Sequence, residues 1–98
     1  MARPTALSET DVAEFLKAHP AWRKDKGALV RTYELATFPS AIRFVSRVGE
    51  LAESADHHPD IDIRWRKVTL LFVTHDAGNA ITSLDTQLAH ECDGLAET

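Results

Sequence analysis

Residues 53–65 read ESADHHPDIDIRW, and the fold turns on where the helical pattern stops and the strand pattern starts within them. Upstream, Ala41, Phe44, Val48, Leu51 and Ala55 step by three and four, with Ile42, Val45, Gly49 and Ala52 beside them. Residues 39–56 therefore predict an amphipathic helix whose apolar stripe is wide enough to lie on a sheet. Pro59 disfavours helical dihedrals at the residue before it, which puts the helix end at His57 or His58. Downstream, Ile61, Ile63 and Trp65 alternate with Asp60, Asp62 and Arg64, the two-residue period of a strand. Two adjacent imidazoles thus stand where a long helix hands over to a strand.

The same two periods organise the rest of the chain. KVTLLFVTH, residues 67–75, holds Val68, Thr69, Phe72, Val73 and Thr74, which favour a further strand, with the turn before it at Arg66-Lys67. Towards the N-terminus, SETDVAEFLKAH (8–19) begins with Ser8 and places Asp11 three residues on, a capping-box arrangement. Val12, Phe15 and Leu16 follow at helical spacing until Pro20. Trp22 to Lys24 and Leu29 to Leu35 flank the turn signal DKG and predict a hairpin, with Leu29, Arg31, Tyr33 and Leu35 on one face of its second strand. Towards the C-terminus, the loop DAGNA precedes a last helix in which Ile81, Leu84, Leu88, Cys92 and Leu95 share a face. The order is α-β-β-α-β-β-α. It predicts a single α+β domain over residues 1–98, a four-stranded, mainly antiparallel sheet with helices on one face.

Composition narrows the function classes. With 44% hydrophobic and 27% charged residues, the 98-residue chain has the balance of a globular domain rather than of a disordered one. A net charge of −4 argues against general nucleic-acid binding, which needs a basic face. Arg43 and Arg47, one helical turn apart, read as a solvated face. Cys92, the single cysteine, rules out an internal disulfide and fits a reducing compartment. The start MARPTALSETD has no apolar core, and no run reaches the roughly 18–20 apolar residues that span a bilayer. A cytoplasmic protein without a membrane partner is expected.

Five residues carry candidate chemistry: Glu53, His57, His58, His75 and Asp85. Glu53 and His57 are four apart on one helix, so the carboxylate can orient the imidazole. His75 ends the fourth strand, and Asp85 lies in the first turn of the last helix. If the long helix crosses the sheet, three histidines line one cleft. Each has a simpler reading. A histidine at a helix C-terminus is favoured by the macrodipole, and Asp85, three residues after Thr82, is a good capping-box acid. A zinc site is the rival chemistry. Yet adjacent helical residues do not face one way, and no HxH, HxxxH or CxxC pair is present. Cys92 reads as core, and His19 and His90 as structural or solvated. What remains is acid–base catalysis by imidazoles.

The pattern E-x3-H-H-P at Glu53–Pro59, Trp65 six residues later, His75 ten beyond it and Asp85 ten further on resembles the pterin-4a-carbinolamine dehydratase family. LVRTYEL, FPSAIRFVSRVGELAE and VTHDAG extend the likeness, which runs almost continuously from Trp22 to Ala89. The resemblance implies a lyase that removes water from a 4a-hydroxytetrahydropterin, recycling the pterin used by aromatic amino-acid hydroxylases, without a metal or an organic cofactor. It implies that His57 and His75 protonate the leaving hydroxyl, that His58 binds pterin or acts as base, that Glu53 orients the site and that Asp85 sets its polarity. Pro59, Thr74, Asp76 and Ala77 are the neighbours implied to touch the pterin. A homodimer or homotetramer is implied, and the alternative is a protein-binding or assembly scaffold. Ile63, Arg64, Trp65 and the loop DAGNAIT depart from the family pattern.

Overall fold

The first helix, α1 (Glu9–Ala18), begins where the Ser8 hydroxyl accepts the Asp11 N–H at 3.0 Å, the cap read from the sequence. A computed structural model describes residues 5–96 of the chain. Residues 1–4, part of the N-terminal stretch without an apolar core, lie outside the described residues. After α1 come β1 (Arg23–Asp25) and β2 (Ala28–Glu34), joined by a two-residue turn in which Lys26 and Gly27 both have positive φ, 51° and 81°. That is the turn whose twist suits a tight hairpin. Helix α2 (Phe38–Ala55) is capped by Thr37, then β3 (Asp60–Arg64) and β4 (Lys67–Phe72) form a second hairpin. A 3₁₀ turn, His75–Ala77, precedes α3 (Ser83–Leu95).

The four strands are all antiparallel, in the order β1-β2-β4-β3. Pairing sets Leu29 opposite Phe72, Arg31 opposite Leu70 and Tyr33 opposite Val68, so these side chains share one face. Five of them, all but Arg31, are buried together with Val12 from α1, Ala41, Phe44 and Val48 from α2, and Leu88, Ala89 and Cys92 from α3. The three helices therefore cover one face of the sheet, as an α+β chain in α-β-β-α-β-β-α order requires. Each large side chain wholly removed from water here contributes about 1.5–3 kcal/mol. Arg31, on the same face by register, is accommodated there because its Nη1 donates to Asp93 at 2.7 Å, which also receives the Trp22 indole N–H and the Tyr33 hydroxyl. This carboxylate pins the end of α3 to the sheet.

Besides one-residue shifts of β1 and β2, the boundaries differ from the sequence reading in four places. Helix α2 stops at Ala55, before either histidine, because Asp56 takes a left-handed conformation with φ 51°. His57 N–H then reaches Ala52 O at 3.1 Å and Asp56 N–H reaches Glu53 O at 3.2 Å, the paired bonds of a Schellman ending. The β3–β4 turn is Trp65-Arg66, one residue earlier than expected, with Trp65 at φ 56°. Strand β4 ends at Phe72 rather than His75, since Val73 leaves the ladder and only Thr74 bridges back, to Ala80. Ile81 precedes α3 instead of lying on it, and Asp85 stands in the buried stripe with Leu88, Ala89 and Cys92. Among the described residues no helix is long and apolar enough to cross a membrane.

Candidate active site

The Schellman ending of α2 turns the chain so that His57 points back towards the sheet rather than along the helix. Its ring lies nearly parallel to Phe72, at 18°, and its Nε2–H donates to Asp85 Oδ1 at 2.6 Å. Asp85 is wholly buried, an expensive place for a carboxylate unless every lone pair finds a donor. It finds several. Oδ2 accepts the Thr82 backbone N–H at 2.9 Å and the Thr74 hydroxyl at 2.7 Å, while Oδ1 takes His57. Because Thr74 spends its proton on Asp85, the Thr74–Thr82 contact at 2.7 Å has Thr82 as donor. Asp85 is thus both the capping-box acid of α3 and the partner of His57.

His58 and His75 are held by different means. His58 Nε2–H donates to Glu53 Oε1 at 2.8 Å, but both groups are exposed, so water screens the pair. The sequence spacing had matched Glu53 with His57. The early end of α2 removes His57 from that helical face and leaves Glu53 to His58. His75 opens the 3₁₀ turn, and its Nδ1–H donates to Asn79 Oδ1 at 2.7 Å. Asn79, at φ 60°, is placed by the closure of the loop through Thr74 N–H to Ala80 O at 2.9 Å. The His75–Asn79 spacing of four is the signal in the sequence for this pair, and Asn79 is absent from the candidate residues above.

One pocket of about 250 Å³ gathers these groups: its walls include His57, His58, Thr74, His75 and Asp76. Asp56, Val73 and Leu84 complete them, none of which the sequence had singled out. Asp85 lies behind His57, and Glu53 stands outside beside His58. Pro59 and Ala77 flank the lining segments without being part of the wall. Adjacent histidines share the pocket because they follow the helix instead of belonging to it. In each of the three histidines one ring nitrogen donates to a side-chain acceptor, buried for His57 and exposed for His58 and His75. The other, Nδ1 of His57 and His58 and Nε2 of His75, is chemically able to exchange a proton. Among the described residues no group of three or more His, Cys, Asp or Glu side chains is arranged to hold a metal ion.

Relatives of known name share this architecture. Residues 5–95 match the family described as Pterin 4 alpha carbinolamine dehydratase. A protein of Chloroflexus aurantiacus, provisionally named pterin-4-alpha-carbinolamine dehydratase, is 51% identical over 89 residues, covering 91% of this chain and 95% of the relative. One from Mycolicibacterium smegmatis, provisionally named alike, is also 51% identical over 89 residues, covering 91% and 94%. Among solved structures, a transcriptional coactivator/pterin dehydratase from Brucella melitensis superposes with a TM-score of 0.88 at 28% identity, covering 95% of this chain and all of the other. A pterin dehydratase-like protein described as a RuBisCO assembly factor of the alpha-carboxysome shares the fold, with a TM-score of 0.66 at 20% identity over 80% of this chain and 92% of its own. On its sequence and its fold alike, the chain belongs to the pterin-4-alpha-carbinolamine dehydratase family.

Proposed function

We propose that the protein is a hydro-lyase that converts a 4a-hydroxytetrahydropterin into quinonoid dihydropterin and water by histidine acid–base catalysis. The observation that carries the reading is the set of three histidines around one pocket, each with one nitrogen committed and the other open to substrate. The reaction needs such groups on both sides of a ring. The C4a–O bond breaks as the hydroxyl takes a proton and leaves as water, while N5 gives up its proton and the C4a=N5 bond forms. His57 and His75, in their protonated forms, supply the proton to the hydroxyl. His58, the histidine whose partner is most exposed, takes the N5 proton and passes it to solvent. Thr74 and Asp76 contact the pterin ring, and Asp85 holds His57 as the Nε2–H tautomer. In a cell this step restores the tetrahydropterin oxidised by an aromatic amino-acid hydroxylase.

A second reading, a protein-binding scaffold, draws support from the exposed apolar strip of Ile61, Ile63 and Trp65. It gives no reason for three histidines around one pocket, one of them held by a buried carboxylate. The experiment that separates the readings is stopped-flow absorbance of 4a-hydroxytetrahydropterin decay with and without purified protein. The dehydratase accelerates the decay above the spontaneous rate, and a rate equal to the spontaneous one rejects it. Changing His57, His58 or His75 to Ala is expected to cost about 10²–10⁴-fold each, less where one histidine substitutes for another. The His57→Ala/His75→Ala double variant should be the worst, and wild-type turnover in it would sink the mechanism.

A further inference from the structure

Away from the pocket, the two remaining histidines, which the sequence had left as structural or solvated, meet across the seam between α1 and α3. His19 Nε2 and His90 Nδ1 are 3.0 Å apart, although 71 residues separate them in the chain. We propose that this pair chelates a divalent late first-row transition-metal ion through His19 Nε2 and His90 Nδ1, with the His90 hydrogen moving from Nδ1 to Nε2 so that both neutral rings offer a lone pair.

The tautomer follows from the partners. His19 Nδ1 faces Phe15 O at 3.0 Å, and a carbonyl only accepts, so Nδ1 carries the hydrogen. In neutral His19 the Nε2 lone pair is then directed at His90, whose Nδ1–H donates to it. A metal-ligating histidine has this same arrangement: the far ring nitrogen donates to a carbonyl, fixing the orientation of the near one. The His19 ring is held further by stacking on Phe15, with centroids 4.1 Å apart and planes at 13°. One ligand is therefore pre-set.

Distance puts both nitrogens within reach of one ion. Two nitrogens at 2.0–2.1 Å from one ion stand about 2.9 Å apart at a right angle and about 3.3 Å apart in a tetrahedron. The observed 3.0 Å is set by the hydrogen bond and lies close to both separations, so the pair can reach one ion, and imidazole suits Cu²⁺ and Ni²⁺ as ligands. In the hydrogen bond the His19 lone pair points at His90 Nδ1 itself. His90, which is exposed and meets the His19 ring edge to face at 88°, therefore swings on its own torsions to bring both lone pairs onto one ion. Water fills the other positions. The bound ion joins the C-terminal end of α1 to the middle of α3 and stabilises the fold by mass action.

The test uses the folded wild-type chain. Substoichiometric Cu²⁺ is added to isotope-labelled protein, and amide line broadening is followed by NMR. Broadening centred on His19 and His90 before any at His57, His58 or His75 is the expected result. Calorimetric titration with NiCl₂ should give one equivalent bound, with His19→Gln and His90→Gln each weakening it at least tenfold. Broadening centred on the pocket histidines, or Ni²⁺ affinity unchanged in both variants, would overturn the proposal.

Discussion

Asp85 holds two positions at once, and its chemistry as an acceptor on both oxygens is what makes that possible. Asparagine in its place keeps an oxygen for Thr82 N–H and Thr74, but presents an amide N–H₂ to His57. The ring must then accept at Nε2 and carry its hydrogen on Nδ1, facing the pocket. The wrong tautomer behind a catalytic histidine costs about 10⁴-fold in a serine protease. Asp85→Asn is therefore expected to lower turnover by about 10²–10⁴-fold while the far-ultraviolet dichroism stays native. Turnover within threefold of wild type would show that the His57 tautomer is immaterial. Glu53→Gln makes the contrast. Its pair with His58 is exposed and worth at most about 1 kcal/mol, so less than tenfold is expected in steady-state kinetics. The sequence disclosed the histidines and the acid, because their residue types and spacing are visible in one dimension. It could not disclose their pairing: His57 meets Asp85 across 28 residues, and Glu53 changes partner because one left-handed residue ends α2 early.

At the scale of elements, α3 is tied at both ends by carboxylates, and each tie makes a separable prediction. Thr82→Ala removes the hydroxyl that accepts the Leu84 N–H at 3.2 Å, yet leaves the backbone N–H and Thr74 on Asp85. Chemical denaturation should show a loss of about 0.5–2 kcal/mol, with turnover largely kept. An equal loss of activity would mean the cap and the site cannot be separated. Farther along, burial pushes the Cys92 thiol from 9.0 up to about 12, aided by Asp93 beside it. A thiol whose folded pKa is raised contributes stability that is complete below about pH 9 and is lost as pH climbs to about 12. Tyr33 is raised too, by burial first and then by its bond to Asp93, so wild type and Cys92→Ala must be compared directly. Urea unfolding from pH 8 to 11 should show a steeper decline for wild type, and parallel curves would refute it. The elements themselves were legible, since periods of two and of three to four are local. Their ends were not, because a left-handed Asp56 and the bridge from Thr74 to Ala80 depend on contacts beyond the periodic stretch.

Taken whole, the molecule is least complete along β3. This strand closes the sheet order, so among the described residues its outer backbone groups have no ladder partner, a condition that proteins usually cover or blunt. Ile61 and Ile63 face the helix side but remain 38% and 37% exposed, and Trp65 at the turn is 68% exposed. Phe38 and Ile42 of α2 are exposed as well, so helix and strand both offer apolar surface. A second copy suits this edge. Antiparallel pairing of β3 with itself about Ile63 sets Asp62 of each copy opposite Arg64 of the other and joins the two isoleucine rows. Light scattering at micromolar concentration is expected to give a dimer or tetramer, and the 10.9 kDa mass of one chain would contradict it. Ile61→Lys/Ile63→Lys places charges in the joined rows and should return the single-chain mass with the helical dichroism intact. The pocket walls come from one chain, so the dissociated variant should retain turnover within a few fold. If it folds but loses activity, the site requires a neighbour, and the view of a pocket complete in each subunit fails.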